Sequence, residues 1–148
     1  MPTNPVRRGV GARGKQPYLI DVQASAQGNG SRTVLLVEDD DDVREAVEQI
    51  LTQEGFHVVA APDGGVALDV LAQGTHHFCT IILDVLMPGV DGAEFLARAR
   101  EQLRSIPVLL FSASRLPLSL RDDPQVKDFI PKPVEVEVLL EKIRAHCG

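Results

Sequence analysis

At 148 residues, with 44% hydrophobic and 24% charged side chains, the chain is sized and composed for one soluble globular domain with a proper core. No apolar run approaches the roughly 20 residues a membrane span requires, and Met1-Pro2-Thr3-Asn4-Pro5 lacks the apolar stretch of a signal peptide, so membrane insertion and export are not expected and a cytoplasmic location is. The net charge of −6 conceals a division: residues 1–32 carry five basic side chains against Asp21 alone, whereas residues 33–148 carry 10 basic and 20 acidic ones, and so acidic a globule argues against direct contact with nucleic acid.

Residues 1–32, rich in Gly, Pro, Asn, Ser and Gln, read as a flexible, basic N-terminal extension, with Tyr18-Leu19-Ile20 its one apolar cluster. From Thr33 the pattern changes, and residues 33–148 read as a domain. Val34-Leu35-Leu36-Val37 is a short apolar run, as expected of a strand buried on both faces. Val43, Ala46, Val47, Ile50 and Leu51 then recur at helical spacing, and Gly55 closes that helix. Phe56 to Ala61 reads as a second strand. Asp63-Gly64-Gly65 turns into a helix bearing Ala67, Val70 and Leu71, which stops near Gly74. Thr80-Ile81-Ile82-Leu83 is a third strand. Asp91 and Glu94 form a capping box that opens a helix with Phe95, Leu96, Ala99 and Leu103 inward.

Val108-Leu109-Leu110-Phe111 is a fourth strand. Between it and a short fifth strand at Phe129-Ile130, Pro117 and Pro124 preclude a long regular helix, so the fourth helix is predicted to be short or irregular. Val136, Leu139, Leu140 and Ile143 define the last helix. The two cysteines, Cys79 and Cys147, are too few for a disulfide framework and have no metal-ligand spacing; Cys79 reads as a small core residue in a reducing cytoplasm.

Strands alternating with helices predict an α/β fold: a doubly wound, five-stranded parallel sheet in the order 2-1-3-4-5 with helices on both faces. Ligands of such sheets bind beyond the carboxyl ends of the strands where the winding reverses, here between strands 1 and 3. Strand 1 ends in Glu38-Asp39 and strand 3 in Asp84, so the fold gathers three carboxylates at one edge. An all-oxygen cluster of this kind suits a hard cation, and Mg²⁺ is the natural one. Strand 4 ends in the hydroxyl of Ser112, and strand 5 is followed by the ammonium of Lys132. Asp40, Asp41 and Asp42 read more simply as cap and dipole partners of the first helix.

Four segments in order, Val34-Leu35-Leu36-Val37-Glu38-Asp39, Asp84-Val85-Leu86-Met87-Pro88-Gly89-Val90-Asp91-Gly92, Phe111-Ser112-Ala113 and Phe129-Ile130-Pro131-Lys132-Pro133-Val134, resemble the receiver domains of bacterial two-component response regulators. The resemblance covers about residues 33–148 and is to the stand-alone, chemotaxis-regulator-like type. It implies that Asp84 is the phosphoacceptor, that Glu38, Asp39, Asp84 and the backbone carbonyl of Leu86 hold Mg²⁺, that Ser112 and Lys132 bind the phosphoryl group, and that Ser112 and Phe129 form the switch. It also implies a cis Lys132–Pro133 bond. A sensor histidine kinase or histidine phosphotransfer protein would be the donor, and a further protein the target. Such a domain promotes only its own phosphotransfer and slow dephosphorylation.

The chain ends soon after the last helix, so a stand-alone module acting by protein contact is expected. Two other functions use an aspartate or a doubly wound sheet in this way. An aspartate-nucleophile phosphohydrolase of the haloacid dehalogenase type needs a general acid two residues after its nucleophile, where this sequence has Leu86. A dinucleotide-binding domain needs a glycine-rich turn after strand 1, where Glu38-Asp39-Asp40-Asp41 would repel a pyrophosphate.

Overall fold

The computed structural model describes residues 32–113 and 116–147. The expected N-terminal extension therefore lies outside the described residues, apart from Arg32. Five parallel strands form one sheet in the order β2-β1-β3-β4-β5, as the alternation of elements predicts. They are β1 (Thr33–Val37), β2 (His57–Ala61), β3 (Phe78–Asp84), β4 (Val108–Ser112) and β5 (Val126–Pro131). The connecting helices are α1 (Asp41–Gln53), α2 (Gly64–Gln73), α3 (Gly92–Arg98), α4 (Leu118–Arg121) and α5 (Val136–Cys147). Among the described residues no helix is long and apolar enough to cross a membrane.

The sheet separates two cores, and alternation along each strand decides which core a side chain joins. Leu35, Val37, Leu83 and Leu110 face α2 and α3, whose Ala67, Leu71, Phe95 and Leu96 cover them, with Leu120 of α4 at the margin. Val34, Leu36, Ile82, Leu109 and Phe111 face α1 and α5, covered by Val47, Leu51, Leu139, Leu140 and Ile143. The starts of α1, α2 and α3 have a local cause. Asp40, Asp63 and Asp91 are N-caps whose carboxylates accept from the amides of Asp42 and Val43, of Val66, and of Glu94.

Several expectations need correction. Ala46 is exposed although it fits the apolar period of α1, and Val136 at the head of α5 is 42% exposed. Leu103 is buried but lies in turns beyond α3, which ends at Arg98. β5 runs six residues, longer than the pair Phe129-Ile130. Helix α4 is indeed short, at four residues, and Pro117 forms its N-cap position instead of interrupting it. Cys79 and Cys147 are not two separate core thiols: they are joined as a disulfide, with Cα atoms 5.2 Å apart.

Candidate functional site

At the carboxyl edge of the sheet, β1 and β3 are adjacent, with Val37 opposite Leu83, so the residues that follow them emerge side by side. Glu38 is 1% exposed and Asp84 4%, while Asp39 lies open at the crevice mouth. One carboxylate oxygen from each of the three lies within 4.8 Å of the others. Lys132 reaches in from beyond β5. Its Nζ stands 2.9 Å from Glu38 Oε1 and 3.3 Å from Asp84 Oδ1, and 4.7 Å above the ring of Phe111. A cation over an aromatic face is attracted by the ring quadrupole, so Phe111 helps to hold the ammonium where it meets both acids.

The backbone fixes these groups. The Lys132 amide donates to the Ser112 carbonyl at 3.1 Å, tying the loop after β5 to the end of β4, and the Lys132–Pro133 peptide is cis as expected. Glu38 is anchored at both ends: its Oε2 accepts from the Asp40 amide at 3.0 Å, and its carbonyl accepts from the Arg44 guanidinium at 2.9 Å. After Asp84 the chain folds back on itself, and the Gly92 amide donates to the Val85 carbonyl at 3.1 Å. A Cβ at position 92 would stand 3.1 Å from the Asp84 carbonyl oxygen and from Val85 Cα, so the close return favours glycine. Gly89, at φ +76°, makes the turn within the same loop.

The electrostatics follow from this crowding. Burial, then the charge of Glu38 and a hydrogen bond shared with Asp39, push the Asp84 carboxyl up to about 7, against the opposing pull of Lys132. Burial acts to lower the Lys132 ammonium, but its contacts with Glu38 and Asp84 outweigh that and hold it above its ordinary value. Three carboxylates with one cation between them are short of positive charge. All their donor atoms are oxygens, and a hard divalent ion such as Mg²⁺ fits that set.

Glu38, Asp39, Asp84 and Lys132 are thus gathered at one edge. Ser112 is half-buried at the end of β4, paired with Pro131 of β5. Leu86 projects into solvent at 69% exposure, and Phe129 of β5, paired with Leu110 of β4, is 37% exposed. Asp40 caps α1, while Asp41 pairs with Arg44 at 2.6 Å. Sequence reasoning missed the roles of Phe111 and Arg44 in holding this constellation. Phe111 reads as one more apolar strand residue, and Arg44 as an ordinary helix-surface charge.

Residues 34–144 match the family model of the response regulator receiver domain. The transcriptional regulatory protein CseB of Streptomyces avermitilis is 36% identical over 114 residues, covering 76% of this chain and 47% of its own. The response regulator MprA of Mycobacterium avium is 36% identical over 115 residues, covering 76% and 49%. The chain thus spans about half the length of the curated relatives it matches. Among solved structures, the chemotaxis protein CheY4 of Vibrio cholerae superposes with a TM-score of 0.70 at 28% identity, covering 79% of this chain and 99% of that one. The receiver domain of the hybrid histidine kinase CckA gives 0.68 at 32% identity, covering 78% and 99%. These likenesses set the phosphohydrolase alternative aside. A doubly wound sheet carrying buried acids and a lysine at its carboxyl edge, matched over residues 34–144, places this chain in the response-regulator receiver family of two-component signalling.

Proposed function

We propose that Asp84 accepts a phosphoryl group from a phosphohistidine of a sensor kinase or histidine phosphotransfer protein, and that the domain signals this state by protein contact in the cytoplasm. The observation that carries the reading is the convergence of Glu38, Asp39 and Asp84 within 4.8 Å, with the Lys132 ammonium between Glu38 and Asp84. Glu38, Asp39, Asp84 and the Leu86 backbone carbonyl would hold Mg²⁺. When bound, the ion supplies the positive charge that the three acids and a phosphoryl group lack.

An Asp84 carboxylate oxygen attacks phosphorus in line. The phosphorus–nitrogen bond to the donor imidazole breaks, and the imidazole leaves with that electron pair. Lys132 offsets the charge of the phosphoryl oxygens, and the Ser112 hydroxyl donates to one of them. The resulting acyl phosphate is later cleaved slowly by water at the same place, and the carboxyl group of Asp84 is restored. Ser112 and Phe129 change position between the two states, and a partner reads the altered surface.

The test is intact-mass measurement after incubation with Mg²⁺ and acetyl phosphate or a phosphorylated kinase. One phosphoryl adduct is expected on the wild-type chain and none on Asp84→Asn. Undiminished labelling of the Asn variant, or labelling that survives a chelator, would overturn the assignment.

A further inference from the structure

The opposite edge of the sheet carries a second chemical pair. Opposite β1 the register of β3 shifts: Thr33 pairs with Phe78 but Val34 pairs with Thr80, which makes Cys79 an extra residue on β3. An extra residue of this kind re-aims side chains. Phe78 joins the core under α2 and α3, while Cys79 packs into the core under α1 and α5. Cys147 lies on the last turn of α5, four residues beyond Ile143 and eight beyond Leu139, so it continues the buried stripe of that helix and meets Cys79. The Cα separation of 5.2 Å lies inside the range a disulfide spans, and the two residues are 68 apart in sequence. Cys79 is half-buried, and Cys147 is 8% exposed. The Thr33 carbonyl, 3.4 Å from Cys79 Sγ, is placed to accept from the thiol when the bond is open. From Cys79 to Asp84 is five residues of strand, roughly 16 Å, so the pair has no part in the chemistry at the carboxyl edge.

We propose that Cys79 and Cys147 are a reversible thiol–disulfide site whose oxidant is a small disulfide of the glutathione class, and that closing it clamps the end of α5 to β3. Proteins of reducing compartments hold few disulfides, and those they hold are mostly transient or redox-sensing. The more accessible Cys79 is the point of entry. Its thiolate attacks one sulfur of glutathione disulfide, releasing one glutathione thiolate and leaving a mixed disulfide. The Cys147 thiolate then attacks the Cys79 sulfur and releases the second glutathione. Two protein thiols lose two electrons in total, glutathione disulfide gains them, and the two protons pass to the departing thiolates. Excess reduced glutathione runs the sequence backwards.

The experiment equilibrates the full chain in buffers of graded reduced-to-oxidised glutathione ratio, alkylates it and weighs it intact, with hydrogen exchange on the two end states. The expected result is a monomer with two alkylated thiols at the reducing end and none at the oxidising end, interconverting with the ratio. Amides of residues 144–147 should exchange about tenfold faster or more in the open form. Cys79→Ser and Cys147→Ser should each keep one thiol and show no redox-dependent change in exchange at the end of α5. Thiols that stay alkylatable in glutathione disulfide would overturn the proposal. So would glutathione adducts or intermolecular dimers in place of the internal bond, a bond that excess reduced glutathione does not open, or an end of α5 indifferent to its state. Phosphoryl labelling of Asp84 should proceed in both forms, so its failure bears on the phosphoacceptor reading and not on the cysteine pair.

Discussion

Burial, the charge of Glu38 and the hydrogen bond with Asp39 lift Asp84 to about 7 in the folded domain, Lys132 opposing them, whereas a free aspartate titrates near 3.9. Between about pH 4 and pH 7 the folded chain therefore holds a proton that the unfolded chain has released, and without a divalent ion stability falls as pH rises through that window. Asp84→Asn removes both the titration and the repulsion. In chelator the variant should match wild type near pH 4 and exceed it at pH 8, by on the order of 2 kcal/mol once solvent screening at the crevice mouth is allowed for. Mg²⁺ should narrow that gap by stabilising wild type more. Thermal melts across this pH range decide the matter, and parallel profiles would contradict it. Lys132→Met makes the complementary prediction. It leaves Glu38, at 1% exposure, facing Asp84 with no cation, which should lower stability by about 2 to 3 kcal/mol at neutral pH and move the Asp84 titration higher still. Carboxyl-carbon NMR titration reads that shift directly; an unmoved Asp84 would show that the ammonium is a bystander.

At the level of elements, the segment between β4 and β5 was legible from two prolines. Pro117 has no amide proton and Pro124 biases Asp123 away from helical angles, and between them only Leu118–Arg121 forms a helix. A single turn has little intrinsic stability, and Leu120 is its one buried anchor. Amides of residues 118–122 should therefore exchange fast, within a few-fold of free-peptide rates, while those of 47–51 in α1 are strongly protected. Binding of beryllofluoride at Asp84 should slow exchange in the first group far more than in the second. Slow exchange there in the unmodified domain would reject the proline argument. Other details were illegible for a clear reason. Ala46 and Val136 match an apolar period, but period reports only that a residue is apolar, and the fold leaves Ala46 exposed on α1 and Val136 exposed at the head of α5.

For the whole molecule, the strand order was readable because right-handed crossovers leave few ways to wind five strands, and with that order Glu38, Asp39 and Asp84 had to meet. What the sequence did not disclose was the register shift opposite Thr33, which no residue type announces; without it Cys79 follows strict alternation and never faces α5. The cross-link divides the chain in a way that mechanical load would expose. Asp84, Ser112 and Lys132 lie within the loop closed by Cys79 and Cys147, whereas Glu38 and Asp39 lie outside it. A pull on the two ends of the oxidised chain runs through β1, α1, β2, α2 and the sulfur bridge, and β4, α4 and β5 bear no tension. In an optical trap the oxidised domain should lengthen by about 240 Å less than the reduced one, the contour of the 68 shielded residues at roughly 3.5 Å each. Under that load the acids of β1 would be stripped from the crevice while the aspartate of β3 and its lysine partner stay on one covalent ring.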